Sequence, residues 1–207
     1  MTEPKPADSN KSRRGAIATE AFAKIEVSSV EELDAWLEAN HESDDSVWLV
    51  TFKKHVSDRH ITMEQTLDTL ISHGWIDGLR RNLDDDRTMQ LISKRRQQKW
   101  SQSYKDRLAR LTAAGTMRPW GMAAADRAKR EGTWNGYAEV DALNIPDDLR
   151  QAFAAHQSAA AYFDACGASY RRNVLRWIAM AKRDETRRSR ITKVAGACAK
   201  KDRMPQM

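Results

Sequence analysis

The chain has 207 residues, enough for one large domain or two small ones with a sizeable core. Apolar residues make up 41% and charged residues 31%, so most of the chain is expected to fold, with a heavily charged surface. The net charge of +6 is uneven: segment 168–203 holds twelve Lys or Arg against three acids, a net +9, so the rest carries about −3.

That asymmetry points to an anionic partner: nucleic acid, an acidic membrane surface or an acidic protein. The competing reading is a solvated helix face. Cys166 and Cys198 fit no CxxC or zinc spacing, so neither a disulfide framework nor a structural metal is implied. The N-terminus has no apolar core of a leader, and no stretch reaches transmembrane length. A cytoplasmic location is the expectation.

In chain order, residues 1–18 are polar, contain Pro4 and Pro6, and read as a disordered tail. Ser29 with Glu32 reads as a capping box, followed by a short helix with Val30, Leu33, Trp36 and Leu37 on one face. "SVWLVTFKK" (46–54) reads as a strand with apolar groups on both faces, hence a central one. Thr62 and Gln65 form a second capping box before a helix that stops at Gly74. "WIDGLRRNL" and "RTMQLISKR" then flank Asp84–Asp86 as two antiparallel strands, with Gly78 marking either a bulge or a close backbone approach. Trp75, Asp77 and Leu79 are expected on one face of that hairpin.

From Trp100 the pattern turns helical. Ser101 or Ser103 caps a helix stopping at Gly115, and a second helix runs from about Pro119 to Arg130 and stops at Gly132. Trp134 falls in the following loop. Pro146 at a first helical position starts another helix, Ser158 and Ser169 start two more, and Asp184 caps the last. The expected organisation is a tail (1–18), an α+β region with the hairpin (19–115), a helical region with basic C-terminal helices (116–203) and a tail (204–207). The fold class is α+β: a small antiparallel sheet covered by helices, with an all-helical C-terminal half packed against it.

No phosphate-binding loop, dinucleotide fingerprint, HExxH or GxSxG is present, and the five histidines show no metal-like spacing. No catalytic residue, metal site or cofactor is assigned. Asp77 is the most interesting carboxylate, because burial would oblige it to find a partner, with Arg80 or Arg95 the neighbours. Its alternatives are a structural bridge or a ligand-orienting group. Arg187 falls on the apolar stripe Ile191, Val194, Ala195, Cys198 of the last helix and needs an acceptor or a ring, with Asp77 or a sheet tryptophan as candidates. Arg183, Arg190 and Lys193 point away and form a candidate basic surface. Trp75, Trp100, Trp120 and Trp134 lie near element ends with arginines close in sequence. They read either as structural cation–π pairs or as the wall of a cleft.

The segments "GWIDGLRRNLDDD", "KRRQQKWSQSYKDRLARLTAAGTM", "AKREGTW" and "SYRRNVLRWIAMAKRDETRRSRITKV" together resemble the YdeI/OmpD-associated, or bacteriocin-protection, family over roughly residues 22–203. Two positions depart from that family's pattern: Ser93-Lys94 stands where Pro-Arg is usual, and Tyr104 where Asn is usual. The resemblance implies a stress- or bacteriocin-protection role and carries no catalytic residue to transfer. The expectation is therefore a non-enzymatic binding or interaction protein of unknown ligand, with a candidate surface at Trp75, Asp77, Arg81, Arg95, Trp100 and Trp134. The rivals are a nucleic-acid binder using the basic C-terminal helices, and an enzyme using Asp77 in a tryptophan-walled pocket.

Overall fold

The computed structural model describes residues 21–156 and 158–204. They divide into two compact units, one ending at Lys94 and the other beginning at Arg95. The tail expected at 1–18 lies outside the described residues, as do residues 205–207 of the C-terminal one.

The first unit is a four-stranded sheet with two helices. In chain order it contains β1 (Lys24–Glu26), α1 (Val30–Ala39), β2 (Val47–Phe52), α2 (Met63–Ser72), β3 (Trp75–Asn82) and β4 (Arg87–Lys94), with strand order β1-β2-β4-β3. β2 is central, as its two apolar faces require, and all six of its residues are buried. The sheet is mixed rather than antiparallel, because β1 runs parallel to β2. At three residues, β1 is too short for an alternation to register in the sequence.

The helix starts follow local chemistry. Thr62 and Gln65 close a complete capping box: Gln65 N–H donates to the Thr62 hydroxyl at 3.2 Å and the Gln65 side-chain oxygen accepts from Thr62 N–H at 3.0 Å. At α1 only half the box forms. Ser29 accepts from Glu32 N–H, but the Glu32 carboxylate accepts from Ser28 N–H at 2.7 Å instead. Leu33, Leu37, Leu70, Val47, Leu49, Ile92 and Trp75 make one apolar cluster on the helix-covered face of the sheet.

The hairpin carries the expected bulge. Asp77 pairs with Ile92 but Arg80 with Gln90, so Gly78 and Leu79 oppose Leu91 alone. A Cβ on Gly78 would stand 3.3 Å from the Leu91 carbonyl oxygen, which is why glycine sits there. The extra residue resets the alternation beyond it. Leu79, expected beside Trp75 and Asp77, is 51% exposed.

The second unit is helical: α3 (Gln102–Ala113), α4 (Pro119–Arg130), a 3-10 turn at Thr133–Asn135, α5 (Ala138–Asp141), α6 (Asp147–Ala154), α7 (Ala159–Ala165), α8 (Ala168–Ala179) and α9 (Asp184–Ala199). Gly115 (φ +68°) and Gly132 (φ +74°) end α3 and α4 in the left-handed conformation that a C-terminal stop demands. Pro146 and Asp184 are each displaced by one position: Pro146 caps α6, and Asp184 is the first residue of α9 behind Arg183. Val140, Leu149, Phe153, Phe163, Val174, Leu175, Ile178, Ile191, Val194 and Cys198 belong to its core. The predicted stripe of α9 is buried along its length. Met204 is buried too, and its N–H donates to the Tyr170 hydroxyl at 3.0 Å.

Candidate functional site

In the first unit, β3 presents its three candidate residues on two faces. Trp75 is fully buried under α1, with its ring edge-on to Trp36 at 5.5 Å. Asp77 lies on the same face, half-buried, and accepts from Gln90 Nε2 at 3.0 Å. Its expected neighbour Arg80 turns instead to the Thr88 hydroxyl and the Met63 sulfur. Arg81 emerges on the opposite face, with its guanidinium 5.3 Å from the Trp48 ring centre. The bulge produces that split, which a strict period of two could not show.

Two of the three aspartates of the turn have structural duties, and Asp85 between them is exposed. Asp84 accepts from the backbone N–H groups of Asp86 and Arg87, and from the Arg87 guanidinium at 2.6 and 2.8 Å. Arg87 thereby holds the Asp84 carboxyl below the usual carboxylate range. Asp86 meets His55 Nε2 at 2.9 Å.

The other three candidates converge at the start of the second unit. Arg95 is 1% exposed, and its guanidinium lies 4.2 Å from the ring centre of Trp100 and 4.8 Å from that of Tyr104. Arg127 donates to the Arg95 carbonyl oxygen. Trp100, also 1% exposed, packs against Trp134 at 5.0 Å. Trp100 N–H donates to the Thr133 carbonyl at 3.2 Å, tying the start of α3 to the turn that follows α4. The indole N–H of Trp100 is buried and meets no acceptor among the described residues. Such a donor costs roughly 1–3 kcal/mol unless an acceptor is supplied.

Trp134 itself is half-buried and has two ammonium groups beside it: Lys105 Nζ and Lys129 Nζ each stand 5.3 Å from its ring centre. Tyr137 continues the surface, with Lys99 Nζ at 5.5 Å and the Arg176 guanidinium at 5.2 Å from its ring. Gly136 makes room for Lys99, since a Cβ there would come within 2.6 Å of the lysine stem. The result is a row of rings edged by cations, able to stack on a flat or extended partner and to neutralise negative charge. Sequence reasoning found Arg95, Trp100 and Trp134 but not Lys99, Lys105, Lys129 or Tyr137. Lys105 and Trp134 are brought together by helix packing, and no local spacing signals that.

Arg187 finds its acceptor within its own unit. Its Nε and Nη2 donate to the two carboxylate oxygens of Asp148 at 2.6 and 3.0 Å, joining α9 to α6. The bidentate contact depresses the Asp148 carboxyl and raises the guanidinium further. Of the basic trio on α9, Arg183 and Lys193 are exposed. Arg190, expected to face solvent, is half-buried: it lies 4.9 Å over the Trp177 ring and donates to the Trp177 carbonyl. Lys193, Lys200 and Arg203 line a cavity of about 440 Å³ together with one acid, Asp202, and with Thr192, Gly196, Ala197 and Met204.

Residues 142–201 match the family model described as "Bacteriocin-protection, YdeI or OmpD-Associated". The match spans α6 to α9, including the Ala181–Ile191 block that carries part of the resemblance. Residues 25–124 match a second model, a domain of unknown function (DUF8412), and this takes in the GWIDG hairpin and Trp100. No curated protein and no solved structure matches the chain. No helix among the described residues is long and apolar enough to cross a membrane.

Proposed function

We propose that this protein is a non-enzymatic binding module of the bacteriocin-protection type, and that it engages an acidic protein surface through the ring-and-cation face of its second unit. One observation carries the reading: Trp134, half-buried, with the ammonium groups of Lys105 and Lys129 both 5.3 Å from its ring. A partly exposed indole beside two positive charges offers apolar contact and charge neutralisation at one spot, the composition of an interface anchor. Arg95 and Trp100 are the buried support beneath it. Trp75, Asp77 and Arg81 enter the proposal as the framework of the first unit. The match over residues 142–201 supports the protection role. Two free, buried thiols support a reducing, cytoplasmic setting.

A second reading is favoured by a separate observation, the cavity edged by Lys193, Lys200 and Arg203. There the chain would bind nucleic acid through its basic C-terminal helices. One titration separates the two. An acidic peptide and a mixed-sequence oligonucleotide are each added to wild type, Trp134→Ala and Lys193→Ala/Lys200→Ala, at low and high salt. The first reading expects peptide binding that weakens at least about tenfold in Trp134→Ala. Oligonucleotide binding that falls steeply with salt and is lost only in the lysine variant replaces it with the second. Equal peptide affinity in wild type and Trp134→Ala removes the first reading altogether.

A further inference from the structure

In the second unit, α5, the loop from α5 to the cap of α6, α8 and α9 surround a cavity of about 190 Å³ lined by Glu139, Val140, Asn144, Pro146, Leu175, Ile178, Ala179 and Arg187. Its floor is apolar and belongs to the core: Val140, Leu175 and Ile178 are all buried. A space of this size holds a single ring with a short arm, since cavities of about 150 Å³ accept benzene.

The charges around it are not balanced. Arg187 is committed to Asp148 through a bidentate contact, so this pair brings no net charge. Along the adjoining groove Arg150 is bound to Asp147 at 3.1 Å, which cancels a second pair. Glu139 lines both spaces and forms no ion pair among the described residues. One of its oxygens accepts from Asn144 Nδ2 at 2.6 Å. The other is left for a donor.

The backbone holds that carboxylate in place at some cost. Leu143 adopts φ +61°, a conformation rare for a residue with a Cβ. This allows Asn144 N–H to reach back to the Glu139 carbonyl at 2.9 Å and brings the Asn144 amide to the Glu139 side chain. Glycine would adopt the turn freely, but Leu143 also packs on the core.

We infer that this cavity is a binding site for a small hydrophobic ammonium compound, its apolar body on Leu175 and Ile178 and its cation on Glu139. Charge complementarity selects the class. A carboxylate would meet Glu139 with like charge and an arginine already neutralised, while an alcohol would fill the cavity without using the charge. A primary aromatic amine uses both.

The test titrates three ligands of matched shape, benzylammonium, benzyl alcohol and benzoate, into the full-length protein. Isothermal titration gives affinity, and methyl NMR of Ile178 and Leu175 reports position. The expected order is ammonium first, alcohol about tenfold weaker, as loss of one charge-assisted contact implies, and benzoate weakest, with shifts at both methyl groups. Glu139→Gln, at an exposed position, brings the amine and the alcohol to equal affinity. Ala179→Leu fills the cavity and abolishes all three. Benzoate binding as tightly as the amine, shifts that spare Ile178 and Leu175, or an unchanged preference in Glu139→Gln would each overturn the assignment, and the last holds whether or not Ala179→Leu folds.

Discussion

Lys201 and Gly132 occupy the same place in two helix stops, and they invite a matched experiment. Lys201 follows α9 with φ +57°, and Asp202 N–H closes the turn on the Ala197 carbonyl. Gly132 follows α4 with φ +74°, and a Cβ there would meet nothing within 4 Å. Both conformations favour glycine, because a Cβ crowds the following carbonyl at positive φ. Lys201 is exposed. Lys201→Gly is therefore expected to stabilise by about 0.5–1 kcal/mol, and Gly132→Ala to destabilise by about 1 kcal/mol through the local backbone alone, with no clash against other elements. Denaturant midpoints measure both, and a loss of stability in Lys201→Gly would show that its side chain has a partner. A second residue-scale expectation concerns Cys198, whose thiol is pushed up to about 11, first by burial and then by Cys166. A buried thiol kept neutral is a poor nucleophile. Alkylation at pH 8 should therefore proceed at the rate of global opening and match amide exchange in α9; rapid labelling of native protein would contradict this placement.

At the scale of elements, α2 depends on its capping box. Thr62→Ala removes the acceptor for Gln65 N–H and the hydroxyl that donates to the Gln65 side-chain oxygen, leaving only the Thr62 backbone N–H on that oxygen. A cost of about 1 kcal/mol is expected from cap series in other helices, and amide exchange should localise it to the first turn of α2. Elements of this kind were legible because their signals are local. The Pro119 start and Gly132 stop delimit α4 to the residue, and the apolar run of β2 announces a central strand. β1 and α5 were not, since three or four residues carry no periodicity. Pro146 and Asp184 missed by one place because a cap is defined by backbone angles rather than by residue type. The site divides along the same line. Gly78 betrayed the bulge, but the reset of faces that separates Arg81 from Asp77 depends on how many residues bulge. Arg187 was recognised as needing an acceptor. That the acceptor is Asp148, thirty-nine positions away, depends on how α6 meets α9, and no single helix records that.

At the scale of the molecule, charge links stability to pH in both units. Asp84 in the first unit and Asp148 in the second are each held below the ordinary carboxylate range, chiefly by hydrogen bonds from Arg87 and Arg187. The unfolded chain has both near the ordinary value of about 3.9. Between that value and the lower folded one, the unfolded state binds more protons, so stability falls as pH falls. Each contribution is complete above the unfolded value and lost on passing down through the folded one. Both pairs are partly exposed, Asp148 at 45% and Asp84 at 37%, so salt should weaken them. The same acid range neutralises the 29 acidic side chains and leaves 35 Lys and Arg facing one another, joined by five histidines. Repulsion then acts in the same direction as the lost ties. The melting temperature is expected to hold above pH 5 and drop between about pH 4 and 2. Asp148→Asn should melt lower than wild type at pH 7 and show a shallower acid limb, and Asp84→Asn/Asp148→Asn a shallower one still. Charge repulsion survives in these variants while the ties do not, so the difference in slope isolates the ties. An acid limb in the double variant as steep as that of wild type would assign acid unfolding to repulsion alone.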